Sequence, residues 1–122
     1  LLKLTVPGVA DVYQGDEVES LNLVDPDNRR PVDWDARRRA LERPPSKLRV
    51  ILAALALRGR RELGAYRPLD AGDDVCAFLR GDDVAVVVPL REGPAPEVDL
   101  PGGGWRPLLD PALPVALLER GE

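Results

Sequence analysis

The sequence predicts two unlike parts in one chain: an α/β segment over residues 1–64, followed by a small antiparallel β-sheet or sandwich over residues 65–122. Three observations lead there. Between Lys47 and Arg58 the apolar residues fall at helical spacing, with Leu48, Ile51, Leu52 and Leu55 at i, i+3, i+4 and i+7, and Val50, Ala54 and Leu57 widening the stripe. Past Gly64 the pattern changes to alternation and short apolar runs cut by turn residues. Between Gly15 and Trp34 there is no period of either kind, only a loop dense in Asp, Asn and Arg. Connections usually run to about 4–6 residues, so a loop this long is functional or disordered. Leu21, Leu23, Val24, Val32 and Trp34 offer it apolar anchors, and Pro26 and Pro31 stiffen it, which favours order. An ordered polar loop just past a strand is where an α/β barrel keeps its substrate contacts.

In chain order, Leu1 to Thr5 reads as the last turn of a helix, ended by Val6-Pro7-Gly8 because the residue before a proline is pushed out of the α region. Val9 to Gln14 reads as a short strand closed by Gly15, with Val12 and Gln14 on one face and Asp11 and Tyr13 on the other. Asp33 to Leu41 reads as a short helix with Asp33 as N-cap, Asp35 in the first turn and Arg37 to Arg39 toward the end, the charge order a helix dipole favours. The arginine triplet reads as a solvated face. Ser46 is the expected N-cap of the apolar helix, and Gly59 or Gly64 its left-handed C-cap. Strands are expected at Tyr66 to Leu69, Val75 to Leu79, Val84 to Leu90, Glu97 to Leu100, Trp105 to Leu109 and Val115 to Leu118, with a hairpin across Arg80-Gly81-Asp82-Asp83.

Composition narrows the function. An apolar content of 44% is enough for a modest core. A net charge of −4 and a pI near 4.9 argue against a nucleic-acid or anionic-membrane surface. No apolar run approaches the roughly 18–20 residues of a membrane span. Histidine is absent, which removes the commonest general base and metal ligand. Cys76 stands alone in an apolar stretch and reads as a small hydrophobe, which suits a reducing, cytoplasmic setting. Asp73-Asp74 and Asp82-Asp83 lack the ligand spacing of a calcium loop and read as turn residues, so no metal is expected. The chain opens on Leu1-Leu2-Lys3 and contains no methionine, and it reads as a piece of a longer protein.

Thr5-Val-Pro-Gly-Val-Ala-Asp-Val-Tyr-Gln-Gly-Asp-Glu17, followed by Leu23-Val-Asp-Pro-Asp-Asn-Arg-Arg-Pro-Val-Asp-Trp-Asp35, resembles the last strand and following loop of the maltooligosyl trehalose synthases, a branch of the α-amylase superfamily. Leu113-Pro-Val-Ala-Leu-Leu-Glu-Arg120 is similar to that family's ending. Ala10 departs from the pattern where a second proline is expected, and the segment from Leu41 to Lys47 is shorter than the family's. The resemblance implies that residues 1–64 are the last strand, substrate loop and final helix of an incomplete (β/α)8 barrel. It also implies that the catalytic carboxylates lie upstream, so none is assigned here and the fragment alone is expected to be inactive.

What the loop can supply is a wall for a sugar. Hydroxyl-rich rings are held by planar groups that donate or accept in pairs. Tyr13, Gln14 and Glu17 stand at the end of the presumed strand, and Asp25, Asn28, Arg29 and Arg30 occupy the loop above it. One arginine is expected on sugar hydroxyls and the other tied to Asp25, Asp27 or Asp33. Trp34 is expected to plug the loop base and Trp105 to fill the sheet core. The resemblance implies a maltooligosaccharide or α-glucan substrate, no cofactor, and a trehalohydrolase as metabolic partner. Another α-amylase-type hydrolase or transglucosidase, or a non-catalytic carbohydrate-binding module, stays open as an alternative.

Overall fold

A computed structural model describes residues 1–24, 29–94 and 96–121. Three helices precede five strands: α1 (Leu2–Thr5), α2 (Trp34–Ala40), α3 (Ser46–Arg60), β1 (Tyr66–Pro68), β2 (Val75–Arg80), β3 (Val84–Pro89), β4 (Trp105–Pro107) and β5 (Ala116–Arg120). The strands form one antiparallel sheet in the order β1-β2-β3-β5-β4. The all-β half is therefore a single sheet and not a sandwich.

The register explains the core. Phe78, Val86 and Leu117 stand opposite one another across β2, β3 and β5. Being in register, they share one face, and they cluster with Leu4 of α1 and Ile51, Ala54 and Leu57 of α3. Ala77, Leu79, Ala85 and Val87, one residue out of phase and so on the other face, are buried as well. The buried residues of α3 are Leu48, Ile51, Ala54 and Leu57. Leu52 and Leu55, which the helical spacing placed in the same stripe, are 40% and 47% exposed.

Caps depart from the sequence expectation at α3. Pro45 holds the extended N-cap conformation, so Ser46 is the first helical residue and caps nothing. At the other end Arg61 turns extended, with φ −152° and ψ 151°, and neither Gly59 nor Gly64 takes a left-handed conformation. Arg61 leaves the helix straight into ion pairs with Asp83 and Glu119, which direct the exit. At α2 the expectation holds: Asp33 caps, its side chain accepting from the Ala36 N–H at 2.8 Å.

Two expected strands are absent. Val9 to Gln14 is not a strand, and Val9 is 99% exposed. β propensity cannot make a strand without a partner for its N–H and C=O groups, and β1 to β5 pair only among themselves. Glu97 to Leu100 is likewise outside the sheet. Pro96 and Pro101 flank it and withhold donors an added strand would need. Its burial still alternates, with Val98 and Leu100 half-buried and Glu97 and Asp99 exposed.

One buried guanidinium ties the helices to the sheet. Arg80 on β2 donates to Gly64 O at 2.8 Å, to Leu63 O at 3.0 Å and to Thr5 O. This clasp needs glycine at 64, because a Cβ there would lie 2.8 Å from Gly81 Cα. Gly81 in turn opens the β2–β3 hairpin with φ +64°.

Candidate functional site

Volume alone favours two clefts that the chemistry does not. One, of about 640 Å³, is lined by Arg58, Arg60, Arg61 and Arg80. All four are already engaged, with Leu4 O, Glu119, Asp83 and the backbone carbonyls of the clasp. Another, of about 500 Å³, is mainly apolar, with Leu4, Val12, Val50, Ile51 and Leu113 in its walls. The polar cavity is smaller, about 200 Å³, and lies between the Gln14–Glu17 turn and the entry to α2.

Tyr13, Gln14 and Arg30, three of the residues expected to meet substrate, line this polar cavity together. Arg29 is exposed beside Arg30. Glu17 is not brought to it. Its side chain borders a separate apolar groove with Trp34, Leu52 and Leu55, and its Oε2 is buried without a hydrogen-bond partner among the described residues. Asp25 and Asn28 lie outside the described residues, as do Pro26 and Asp27. The cavity also takes in Asp16, Asn22, Asp33 and Arg37, none of which was among the substrate contacts expected from the sequence.

The cavity is shaped largely by polar ties; of the apolar anchors expected, Val32 lines it, half-buried, while the leucines do not. Leu21 and Leu23 are 97% and 92% exposed. Arg37 Nη2 donates to Gly15 O at 2.9 Å, and its Nη1 makes a long contact of 3.5 Å with Asp33 O. Lys47 Nζ, from α3, reaches Val18 O at 3.2 Å. Asp16 N–H closes the turn on Tyr13 O at 3.0 Å. Backbone carbonyls bound by long cationic side chains hold the segment where side-chain burial does not. Gly15 sits in the crowded centre with φ +87°, where a Cβ would lie 3.1 Å from both methyls of Val32. Arg37 therefore leaves the solvated face expected for the Arg37–Arg39 triplet. Arg38, by contrast, stays outside and pairs with Asp35 at 2.7 Å.

The tryptophans divide. Trp34, 44% exposed, borders the apolar groove beneath the loop. Trp105 lies on the edge strand and not in the sheet core: Arg120 stacks on its ring, 5.6 Å from the centroid, and its Nε1 donates to Pro101 O. An edge strand offers an indole one covered face only, and Arg120 is what covers it. The paired aspartates are turn residues, and three of the four have arginine partners, Asp74 with Arg91, Asp82 with Arg67 and Asp83 with Arg61. Among the described residues no group of three or more His, Cys, Asp or Glu is placed to hold a metal. No described helix is long and apolar enough to cross a membrane.

The strongest electrostatic feature is elsewhere. Glu119 on β5, 2% exposed, accepts from Arg60 at 2.7 Å and Arg106 at 2.6 Å, and Arg61 Nε stands 3.2 Å away. Burial pushes its carboxyl up. The hydrogen bond from Arg60 and the charges of Arg60, Arg61 and Arg106 outweigh that and hold it below the ordinary carboxylate value. The cluster ties α3 to β4 and β5.

The fold is that of a small antiparallel β domain with α1 and α3 packed on one face. Over an alignment of 99 residues the chain is 54% identical to proteins of two Mycobacterium tuberculosis strains, each named "Putative maltooligosyl trehalose synthase". The alignment takes in 72% of this chain and 13% of each relative, so the chain spans about an eighth of their length. The resemblance drawn from the YQG and DPDNRRP motifs is thus matched by curated proteins carrying that name. No protein-family model matches the chain, and no solved structure matches it.

Proposed function

We propose that this chain is the C-terminal part of a maltooligosyl trehalose synthase. The parent enzyme converts the reducing-end α-1,4 linkage of a maltooligosaccharide to an α,α-1,1 linkage by intramolecular transglucosylation. The observation that carries the reading is the 54% identity to relatives of that name, together with a polar cavity uniting Tyr13, Gln14 and Arg30. In this reading residues 1–64 are the last strand, loop and helix of a (β/α)8 barrel, with Val9 to Gln14, not a strand in this chain by itself, pairing against the parent enzyme's other barrel strands; residues 65–122 are a C-terminal β domain, and the parent enzyme is cytoplasmic. A trehalohydrolase then consumes the product.

The chemistry assigned to this part is recognition. Arg30 and Gln14 offer paired donors and acceptors for vicinal hydroxyls, Asp16 and Asp33 accept, and Tyr13 adds a flat face with a hydroxyl at its edge. Asp25, Asn28 and Arg29 belong to the same recognition loop. Glu17, whose side chain borders the separate apolar groove, is left out of this contact set. At about 200 Å³ the cavity is smaller than the roughly 300–1,000 Å³ of a ligand pocket, which supports a wall of a site and not the whole of one. The glycosidic bond is broken by carboxylates on other parts of the parent enzyme.

The test is kinetic, on the full-length enzyme. Arg30→Ala is expected to raise KM for maltopentaose about tenfold, the loss of about 1.4 kcal/mol. Arg29→Ala is the paired measurement, and unchanged affinity in both removes the recognition role. The 122-residue chain by itself is expected to show no glucan turnover.

A further inference from the structure

We propose that Arg37 is the positioning residue of the sugar-contact wall: from α2 it sets where Tyr13 and Gln14 stand relative to Arg30. The inference rests on the recognition role proposed above and extends it to a residue outside the loop motifs.

Three observations carry it. Arg37 is the side chain that joins the two rims of the polar cavity. Its Nη2 holds Gly15 O on the Gln14–Glu17 side, and its Nη1 reaches Asp33 O on the α2 side. Asp33 is itself immobilised, its carboxylate capping α2 through the Ala36 N–H at 2.8 Å. The brace therefore runs from a capped helix terminus, through one guanidinium, to the carbonyl that follows Gln14. Second, among the described residues the guanidinium has no ion-pair carboxylate and its buried Nε has no hydrogen-bond partner. A side chain recruited for charge alone pairs with an acid; this one is spent on backbone carbonyls, which fix geometry. Third, Gly15 leaves the room the brace needs. A Cβ at 15 would lie 3.4 Å from Arg37 Nη2 as well as 3.1 Å from Val32.

The consequence is a division of labour. The part assigned to Arg37 is to hold the wall: removing its donors frees Gly15 O and lets the Tyr13–Gln14 edge drift from Arg30. Misplacement by about an ångström is enough to weaken a contact set that depends on paired hydrogen bonds. Binding is affected and the chemical step is not, because the bond-breaking groups are elsewhere in the parent enzyme.

The experiment measures kcat and KM for maltopentaose in the full-length enzyme carrying Arg37→Met, which keeps an apolar stem in the groove that Trp34 also lines, and Arg37→Lys, which restores one donor. The expected result is KM raised about tenfold in Arg37→Met with kcat within about twofold, and an intermediate KM in Arg37→Lys. An unchanged KM in Arg37→Met overturns the assignment. So does a fall in kcat alone, the pattern of a general loss of structure. Arg30→Ala is run alongside. If it raises KM and Arg37→Met does not, the positioning role fails while the recognition role stands; if neither does, the recognition role itself has failed. Should Arg37→Met not fold, Gly15→Ala disturbs the same brace from the opposite rim, and an unchanged KM there also overturns the assignment.

Discussion

Replacing Glu119 by glutamine removes the one negative charge that three guanidiniums share in the sheet. The structure sets the size of the effect. Glu119 is 2% exposed and accepts at 2.7 Å from Arg60 and 2.6 Å from Arg106, with Arg61 at 3.2 Å. Removing one partner of a buried ion pair costs about 3–5 kcal/mol. Here the arginine side chains remain 44%, 30% and 64% exposed, so water takes over part of their solvation. That places Glu119→Gln near about 3 kcal/mol, the low end of the range. For a chain of this size the melting temperature falls by about 12 °C at pH 7. The sign of the pH dependence follows from the lowered carboxyl. A depressed folded-state value contributes stability that is present above the unfolded value of about 4.3 and is lost as pH falls through the folded value. The difference between wild type and variant should therefore hold from pH 7 to about pH 4.5 and shrink below it. Circular-dichroism melts of both proteins from pH 7 down to pH 3 read this directly. A Gln variant as stable as wild type at pH 7, or a deficit that does not change with pH, would refute the account.

Gly64→Ala puts a Cβ 2.8 Å from Gly81 Cα and should lower stability by about 1–3 kcal/mol in urea unfolding. Gly59→Ala, at a helical glycine with open space around it, should cost nothing or stabilise by up to about 1 kcal/mol. Asp33→Ala removes the cap of α2, a loss of about 1 kcal/mol in the same measurement.

The sheet was legible in the sequence because its cues are local. The short apolar runs through Val75–Arg80 and Val84–Pro89 and the Gly81 turn between them decide a hairpin without reference to distant residues. The strand expected at Val9 to Gln14 was not, since a strand is a property of two segments and its composition says nothing of a partner. Glu119 shows the same limit. It occupies an inward position of β5 where alternation asks for an apolar residue, and only the convergence of Arg60, Arg61 and Arg106 makes a carboxylate tolerable there. At the candidate site the motif singled out Tyr13, Gln14 and Arg30, which line one cavity, and did not single out Arg37. Three consecutive arginines on a short helix look alike in one dimension. What separates Arg37 from Arg38 is the four-residue step back to Asp33, which brings it over the loop, and the Gly15 that leaves it space.

Arg80 joins carbonyls at Thr5 and Gly64, 75 and 16 residues away along the chain. Such a knot cannot be tied early. The hairpin that carries Arg80 forms from near neighbours, whereas capture of the amino-terminal turn must wait for a long span of polypeptide to close, an entropic delay that grows only logarithmically with span. The first residues of the chain should accordingly be the last to gain amide protection during refolding and the first to lose it when Arg80 lets go.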